Sequence, residues 1–356
     1  MPSTLAESIE LLLPDLVPKL VAPDRVLGLK GLADRLAPIL RGGFECRLNF
    51  NTAQVDFQQC IVPNENELAL LQEQISAVTS EDGVTHSGWL QLQDFLAQWQ
   101  LSLQSIPEIW LEYDIDNSSV FFPLPAIFFG LPQEVSPALE TYAIATQALD
   151  LLLGFSGWHK WQDNLEQCFR ACPDGVFISH IGVMLSRNSP ALRVNVKRLP
   201  PDLLIPYLQE IGWQGETKEL EALMIQLFGL VDRITVCLDV GQIVYPQIGL
   251  ECILLKQPPD ESRWVMFLNY LVERGLCLPE KQEPLLSWPG QTNPLNAKAS
   301  WPSDLIAASL LQPRDHFTIF DRRLSHIKVV WRSPDSLEAK AYLWFEHQWL
   351  SGKSKQ

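Results

Sequence analysis

Short stretches with every second residue apolar recur along this chain in pairs. A polar turn separates the members of each pair, and segments of helical period precede each one. The pairs predict β-hairpins at 44–50 with 55–62, 109–115 with 120–129, 176–185 with 192–199, 233–239 with 243–254, and 326–331 with 339–345. The turns fall at 51–54, 116–119, 187–190, 240–242 and 333–336, rich in Asn, Asp, Ser, Gly and Pro. Between them the period lengthens to that of helices at 65–79, 87–103, 136–154, 159–171, 201–212, 216–231, 262–277 and 303–311. The first 41 residues hold an opening helical pair broken by Pro14, Pro18 and Pro23.

The hairpins start at 44, 109, 176, 233 and 326, so spacings of 65, 67, 57 and 93 residues separate them. Sequence identity between units is negligible, but the order of elements repeats five times. The expected fold class is α+β: ten strands closing into one antiparallel barrel inside an outer ring of helices. Closure removes free sheet edges, and ten strands leave a lumen of ligand size. The units fall at about 1–63, 64–132, 133–200, 201–256 and 257–350, as one domain. The competing arrangement is a two-domain α+β protein divided near 173–175 or 200. The Pro-rich stretch 278–325 interrupts the repeat and is expected to cover one mouth of the barrel.

If the apolar parity packs on helices, the other parity names the lumen. That face carries Glu45, Arg47 and Asn49 opposite Asp56 and Gln58, then Trp110, Glu112 and Asp114. It continues with His180 opposite Arg193, Asn195 and Lys197, then Thr235, Cys237, Asp239, Tyr245, Gln247 and Glu251, and ends at Lys328, Lys340 and Tyr342. The solvated face of an open antiparallel sheet gives the same alternation. Inside a barrel these groups are partly desolvated and coupled to one another, as in a functional cavity. Trp110 and Trp344 are candidate wall residues, whereas Trp89, Trp99, Trp158 and Trp161 lie on helices and read as packing.

Composition narrows the partners. With 27 Lys and Arg against 42 Asp and Glu the net charge is −15, and no basic run offers a surface for nucleic acid or an anionic membrane. No apolar stretch approaches the roughly 20 residues that span a bilayer. The N-terminal residues, with Glu7 and Glu10, do not read as a signal peptide. Seven scattered cysteines without paired CxxC spacing fit reduced, buried thiols and a cytoplasmic protein. Cys168 and Cys172 share a helix face, with no cluster of further ligands to make a metal site. There is no GxGxxG, P-loop, HExxH or GxSxG, which argues against the common nucleotide-binding, zinc-protease and hydrolase classes.

The five-unit order resembles the ABBA-type (αββα) aromatic prenyltransferase barrel over nearly the whole chain. The strand Phe44-Glu-Cys-Arg-Leu-Asn-Phe50 looks like the family strand whose carboxylate, here Glu45, orients an indole. Arg193-Val-Asn195-Val-Lys197 is similar to the third-unit strand that grips the diphosphate. Tyr245-Pro-Gln247 is similar to the fourth-unit pair, and Lys340-Ala-Tyr342 completes the cage. The resemblance implies a small aromatic acceptor, a prenyl diphosphate, and stabilisation of the leaving group by cations and of the allylic cation by π faces.

The departures are equally specific. Asp56 stands where indole prenyltransferases offer an arginine, the second return strand reads Phe-Pro-Leu-Pro-Ala-Ile-Phe-Phe without a cation, and Asn195 replaces a usual lysine. Two unit charges about 4 Å apart interact by about 4 kcal/mol at an effective dielectric near 20, so losing several such contacts weakens diphosphate binding severely. No Asp-rich motif points to Mg²⁺, and no cofactor is expected.

The sequence therefore leads to an enzyme of specialised metabolism that forms carbon–carbon bonds on an aromatic, indole-type substrate, with prenyl transfer the nearest named reaction. Glu45, Asp56 and His180 are the candidate catalytic residues. Arg47, Glu112, Arg193, Asn195, Lys197, Tyr245, Gln247, Lys340 and Tyr342 are candidates for holding substrate or anion. One alternative is a diphosphate-independent acid–base cyclase of an aromatic keto acid, with or without decarboxylation, with Arg193 and Lys197 on the carboxylate. The other is a non-catalytic small-molecule binding protein.

Overall fold

The computed structural model describes residues 4–50, 53–81, 87–115, 122–132, 138–187, 189–313, 315–333 and 336–351. Its strands are β1 (Arg41–Arg47), β2 (Val55–Ile61), β3 (Ile109–Tyr113), β4 (Ala126–Gly130), β5 (Phe177–Val183), β6 (Ala191–Lys197), β7 (Arg233–Gly241), β8 (Val244–Ile253), β9 (Gly290–Thr292), β10 (His316–Ser333) and β11 (Ser336–Ser351). Each pairs antiparallel with the next from β1 to β8, β8 pairs with β10, β10 with β11, and β11 with β1. The ring therefore closes on ten strands, and β9 adds three residues to the far end of β10. One continuous sheet crosses residues 173–200, where the competing arrangement placed a domain boundary.

Helices precede each hairpin, among them Glu65–Glu81, Ser87–Leu101, Ala138–Leu153, Gln162–Arg170, Pro201–Glu210, Thr217–Phe228 and Arg263–Glu273. No described helix is long and apolar enough to cross a membrane. The core lies between this helical ring and the outer face of the barrel. Phe44 of β1 is fully buried there, with Phe57 of β2, Phe345 of β11 and Trp288 at ring distances of 5.7, 5.6 and 5.9 Å. Cutting any of these rings back to Ala is expected to cost about 3–5 kcal/mol.

Three boundaries differ from the sequence pattern. β1 begins at Arg41 and runs through two glycines. A Cβ on Gly42 would lie 2.4 Å from the Gln58 carbonyl oxygen, and one on Gly43 would lie 2.7 Å from that of Leu343, so β2 and β11 close on β1 only where no side chain intervenes. β4 is short because Pro123 and Pro125 supply no N–H to a ladder. Val120 and the turn at 116–119 lie outside the described residues, as do residues 51–52, 188 and 334–335 of the other expected turns. The last hairpin is far longer than its alternation suggested, because β10 and β11 run on past the ring to pair as far as His316 with Ser351.

The expected cover at 278–325 takes another form. Its helices and β9 pack on the outer wall, with Trp288 edge-on to Phe44 and its indole N–H donating to the Arg323 carbonyl at 3.1 Å. Lys281, only 1% exposed, donates to the carbonyl oxygens of Arg47 and Phe50 at 2.7 and 2.9 Å and so ties down the end of β1. Among the described residues from 278 to 325, Ser325 alone lines the lumen.

Candidate active site

The barrel encloses a cavity of about 450 Å³. Strand alternation delivers Glu45, Arg47, Asp56, Gln58, Trp110, Glu112, Asp114, His180, Arg193, Asn195, Lys197, Thr235, Gln247, Glu251, Lys328, Lys340 and Tyr342 to its wall, all on the parity read from the sequence. Tyr245 shares that parity but does not line the cavity. It sits at the β7–β8 turn beside Gly241, where a Cβ would lie 2.9 Å from its ring. Trp344 also stays out of the lining and packs on Trp110, ring centres 5.2 Å apart.

Glu45 is the centre of the most strongly polarised group. The Lys340 ammonium lies 2.8 Å from one carboxylate oxygen, with Arg47 at 3.5 Å, and the Tyr342 hydroxyl donates to the other. Burial alone would raise its pKa, but the Lys340 and Arg47 charges overcome that and hold the carboxyl at about 2. Register produces this contact, since Glu45 stands opposite Tyr342 on one side and Asp56 on the other.

Two neighbouring carboxyls move the other way. Asp56 is pushed up to about 6 by burial and by the Glu45 charge, against the opposing Ile115 N–H and Arg47. Glu112, accepting a 2.7 Å hydrogen bond from the Gln58 amide, is pushed up to about 7 by burial and by Glu45. One ionised acid beside two that protonate near neutrality is an arrangement suited to proton transfer.

The cations are mostly committed to carboxylates. Arg193 donates to Asp239 at 2.5 Å, Gln247 donates to the same carboxylate at 3.1 Å, and Arg332 donates to Gln247 at 3.0 Å and to Glu338 at 3.0 Å. Glu338 also pairs with Arg47, so an unbroken chain of polar contacts runs from β6 across β7, β8, β10 and β11 to β1 near the hairpin turns. Arg187 pairs with Asp114 at the same mouth. Lys328 lies 3.3 Å from Glu251, whose pKa is held at about 2, against the effect of burial, by Lys328 and His326. Lys197 alone among the lining cations makes no hydrogen bond or ion pair with the described residues. Burial lowers its pKa, opposed by Glu251 and Glu108. Beside it on β6, the side-chain oxygen of Asn195 is buried and unpartnered.

Nine wall residues escaped the sequence reading of this site, Glu108, His326 and Phe128 among them. Glu108 accepts hydrogen bonds from the Trp110 indole at 3.3 Å and from His180 Nε2 at 3.2 Å, a pairing that lowers its pKa. It precedes β3 but keeps the parity of Trp110 and Glu112, which was the available signal. His326 stacks on Tyr342 with ring centres 4.2 Å apart, its pKa lowered to about 4 by burial. Phe128 of β4 faces Gly182 of β5, where a Cβ would lie 2.4 Å from its ring, and this close approach turns the Phe128 side chain along the lumen wall. A run of four apolar residues, Ala126–Phe129, hid its direction.

No protein-family model matches this chain, and no curated protein matches its sequence. Solved structures do. The 6-dimethylallyltryptophan synthase of Micromonospora olivasterospora, crystallised with DMASPP and Trp, superposes with a TM-score of 0.56 at 12% identity, over 96% of this chain and 97% of that one. The apo prenyltransferase PriB gives 0.56 at 12% identity over 99% and 97%. AnaPT of Neosartorya fischeri gives 0.53 at 11% identity over 86% and 77%. With ten strands closed inside a helical ring and these three superpositions, the chain has the fold of the ABBA-type aromatic prenyltransferase barrel.

Proposed function

We propose that this protein is an enzyme that forms a carbon–carbon bond on an aromatic, indole-type substrate within its lumen, with aromatic prenyl transfer the nearest reaction. The observation that carries the reading is Glu45, a carboxylate held ionised by Lys340 and Arg47 inside a cavity walled by the rings of Trp110, Phe128, His326 and Tyr342. An ionised carboxylate there accepts the ring N–H or O–H of an electron-rich acceptor, and the π faces stabilise an allylic cation. In that reaction the carbon–oxygen bond of the allylic diphosphate breaks and its electron pair leaves with the diphosphate. The acceptor carbon forms the new bond, and its proton passes to Asp56 or Glu112. Lys197 is the uncommitted cation for the leaving group. The fold neighbour crystallised with DMASPP and Trp supports this assignment.

A second reading is favoured by the charge pairing. Every lining cation except Lys197 already faces a carboxylate or a group bonded to one, which leaves little for a diphosphate. A diphosphate-independent cyclisation of an aromatic keto acid needs only an anchoring cation, a base and an acid, and here Lys197, Asp56 and Glu112 supply them. Asp56 takes the enol O–H proton as the enol carbon bonds to the carbonyl carbon, the carbonyl π pair moves onto its oxygen, and that oxygen takes a proton from Glu112.

Calorimetric titration with dimethylallyl diphosphate, followed by mass spectrometry of reactions with indoles and aromatic keto acids, separates the readings. Diphosphate binding with a prenylated indole product supports prenyl transfer. Turnover of a keto acid without diphosphate binding selects the cyclase. Aromatic binding with no turnover in either screen rejects an enzyme and leaves a binding protein.

A further inference from the structure

A second cavity of about 390 Å³ lies outside the lumen between the start of the helix Ser87–Leu101, the segment Leu153–Trp161 and the β5–β6 hairpin. It shares Met184 and Arg187 with the lumen lining, so the two spaces meet at one mouth of the barrel. Its chemistry is opposite to that of the chain. The protein carries 42 acidic residues against 27 basic ones, yet among the described residues this groove is lined by Lys160 and Arg187 and by no carboxylate. Lys160 is exposed and its ammonium lies 5.2 Å from the centre of the Trp161 ring, and Leu153 and Val183 add apolar lining to the groove. Ser87, Gly88 and Gln91, from the first turns of that helix as described, line the same space.

We propose that this groove is a binding subsite for an anionic extension of the acceptor, so that the substrate is an aromatic group carried on a longer acidic compound, such as an acidic peptide. The inference rests on the reading that the lumen takes an aromatic ring. The ring enters past Met184, and the tail lies outside, with its carboxylates toward Lys160 and Arg187. Arg187 retains its pairing with Asp114 at the junction, where both side chains are half exposed.

The test uses the whole protein, calorimetry at low ionic strength and three probes: N-acetyltryptophanamide, the blocked peptide Trp-Gly-Asp-Asp, and Trp-Gly-Lys-Lys. The acidic peptide is expected to bind roughly tenfold or more tightly than the amide, the worth of one charged contact, with the basic peptide weaker than either. Lys160→Glu, at an exposed position, is expected to abolish the gain while leaving the amide unchanged. Equal affinity of amide and acidic peptide, or a gain that survives Lys160→Glu, overturns the subsite and leaves the lumen reading standing. Binding of none of the three overturns both.

Discussion

Glu45 and Asp56 stand directly opposite each other across β1 and β2, yet one carboxyl is held at about 2 and the other is pushed up to about 6. Lys340 and Arg47 stabilise the first charge, and that charge then disfavours the second. If Glu45 orients or deprotonates the substrate, Glu45→Gln is expected to lower kcat by about 10²-fold or more with little change in ligand affinity. Single-turnover rates and calorimetry on the same variant check this. Unchanged rates reject the role.

The raised carboxyls set a pH signature. Asp56 and Glu112 titrate at about 6 and about 7 in the folded protein, above their ordinary range, so the folded state binds more protons than the unfolded chain between about pH 4 and 7. Stability is expected to fall as pH rises through that window. Glu45 and Glu251, both held at about 2, contribute the opposite limb, stability lost as pH drops below the ordinary carboxyl range. Glu112→Gln removes the larger upper term and should raise stability at pH 8 by about 1–3 kcal/mol relative to pH 5. Melting curves of both proteins across pH 4–8 decide it, and parallel curves would contradict the assignment.

Arg193 and Lys197 sit two residues apart on β6 with opposite commitments. Arg193→Ala deprives Asp239 of its cation and is expected to lower stability. Lys197→Ala breaks no pair and should leave the melting temperature nearly unchanged while weakening an anionic ligand by about 1.5–3 kcal/mol. Denaturation and titration of the two variants side by side test the contrast.

Lys281→Met is expected to destabilise the fold by about 2–4 kcal/mol, because the carbonyls of Arg47 and Phe50 lose their buried donor. Urea denaturation measures the loss, and an unchanged midpoint would mean that water replaces the ammonium.

The lumen was legible in the sequence wherever apolar residues alternated strictly, as at Glu45, Glu112, Arg193 and Lys197. Period-2 geometry leaves only two faces, and helices claim the apolar one. It was not legible where alternation lapses. Phe128 lies in an apolar run whose direction is set by the missing side chain of Gly182, a contact across strands. Tyr245 has the right parity but stands too near its turn, and parity says nothing of depth along the barrel. Nor does parity reveal partners. Arg193 reads as a free cation until β7 brings Asp239 to it, across 46 residues of chain. The length of the last hairpin was hidden for a related reason, since β10 and β11 outrun the cylinder and their outer ends obey no simple in-and-out rule.

The bond from Tyr342 to Glu45 joins residues 297 positions apart, at the seam where the last strand zips against the first. The cylinder is like a cask whose last stave, β11, is far along the chain from the first, so no complete lumen exists until β11 has followed β1 out of the ribosome. Such distant pairing slows folding. It also means that a molecule lodged against Glu45, Lys340 and Tyr342 clasps the first and last strands of the barrel at once, and its occupancy should guard the seam between them against unravelling.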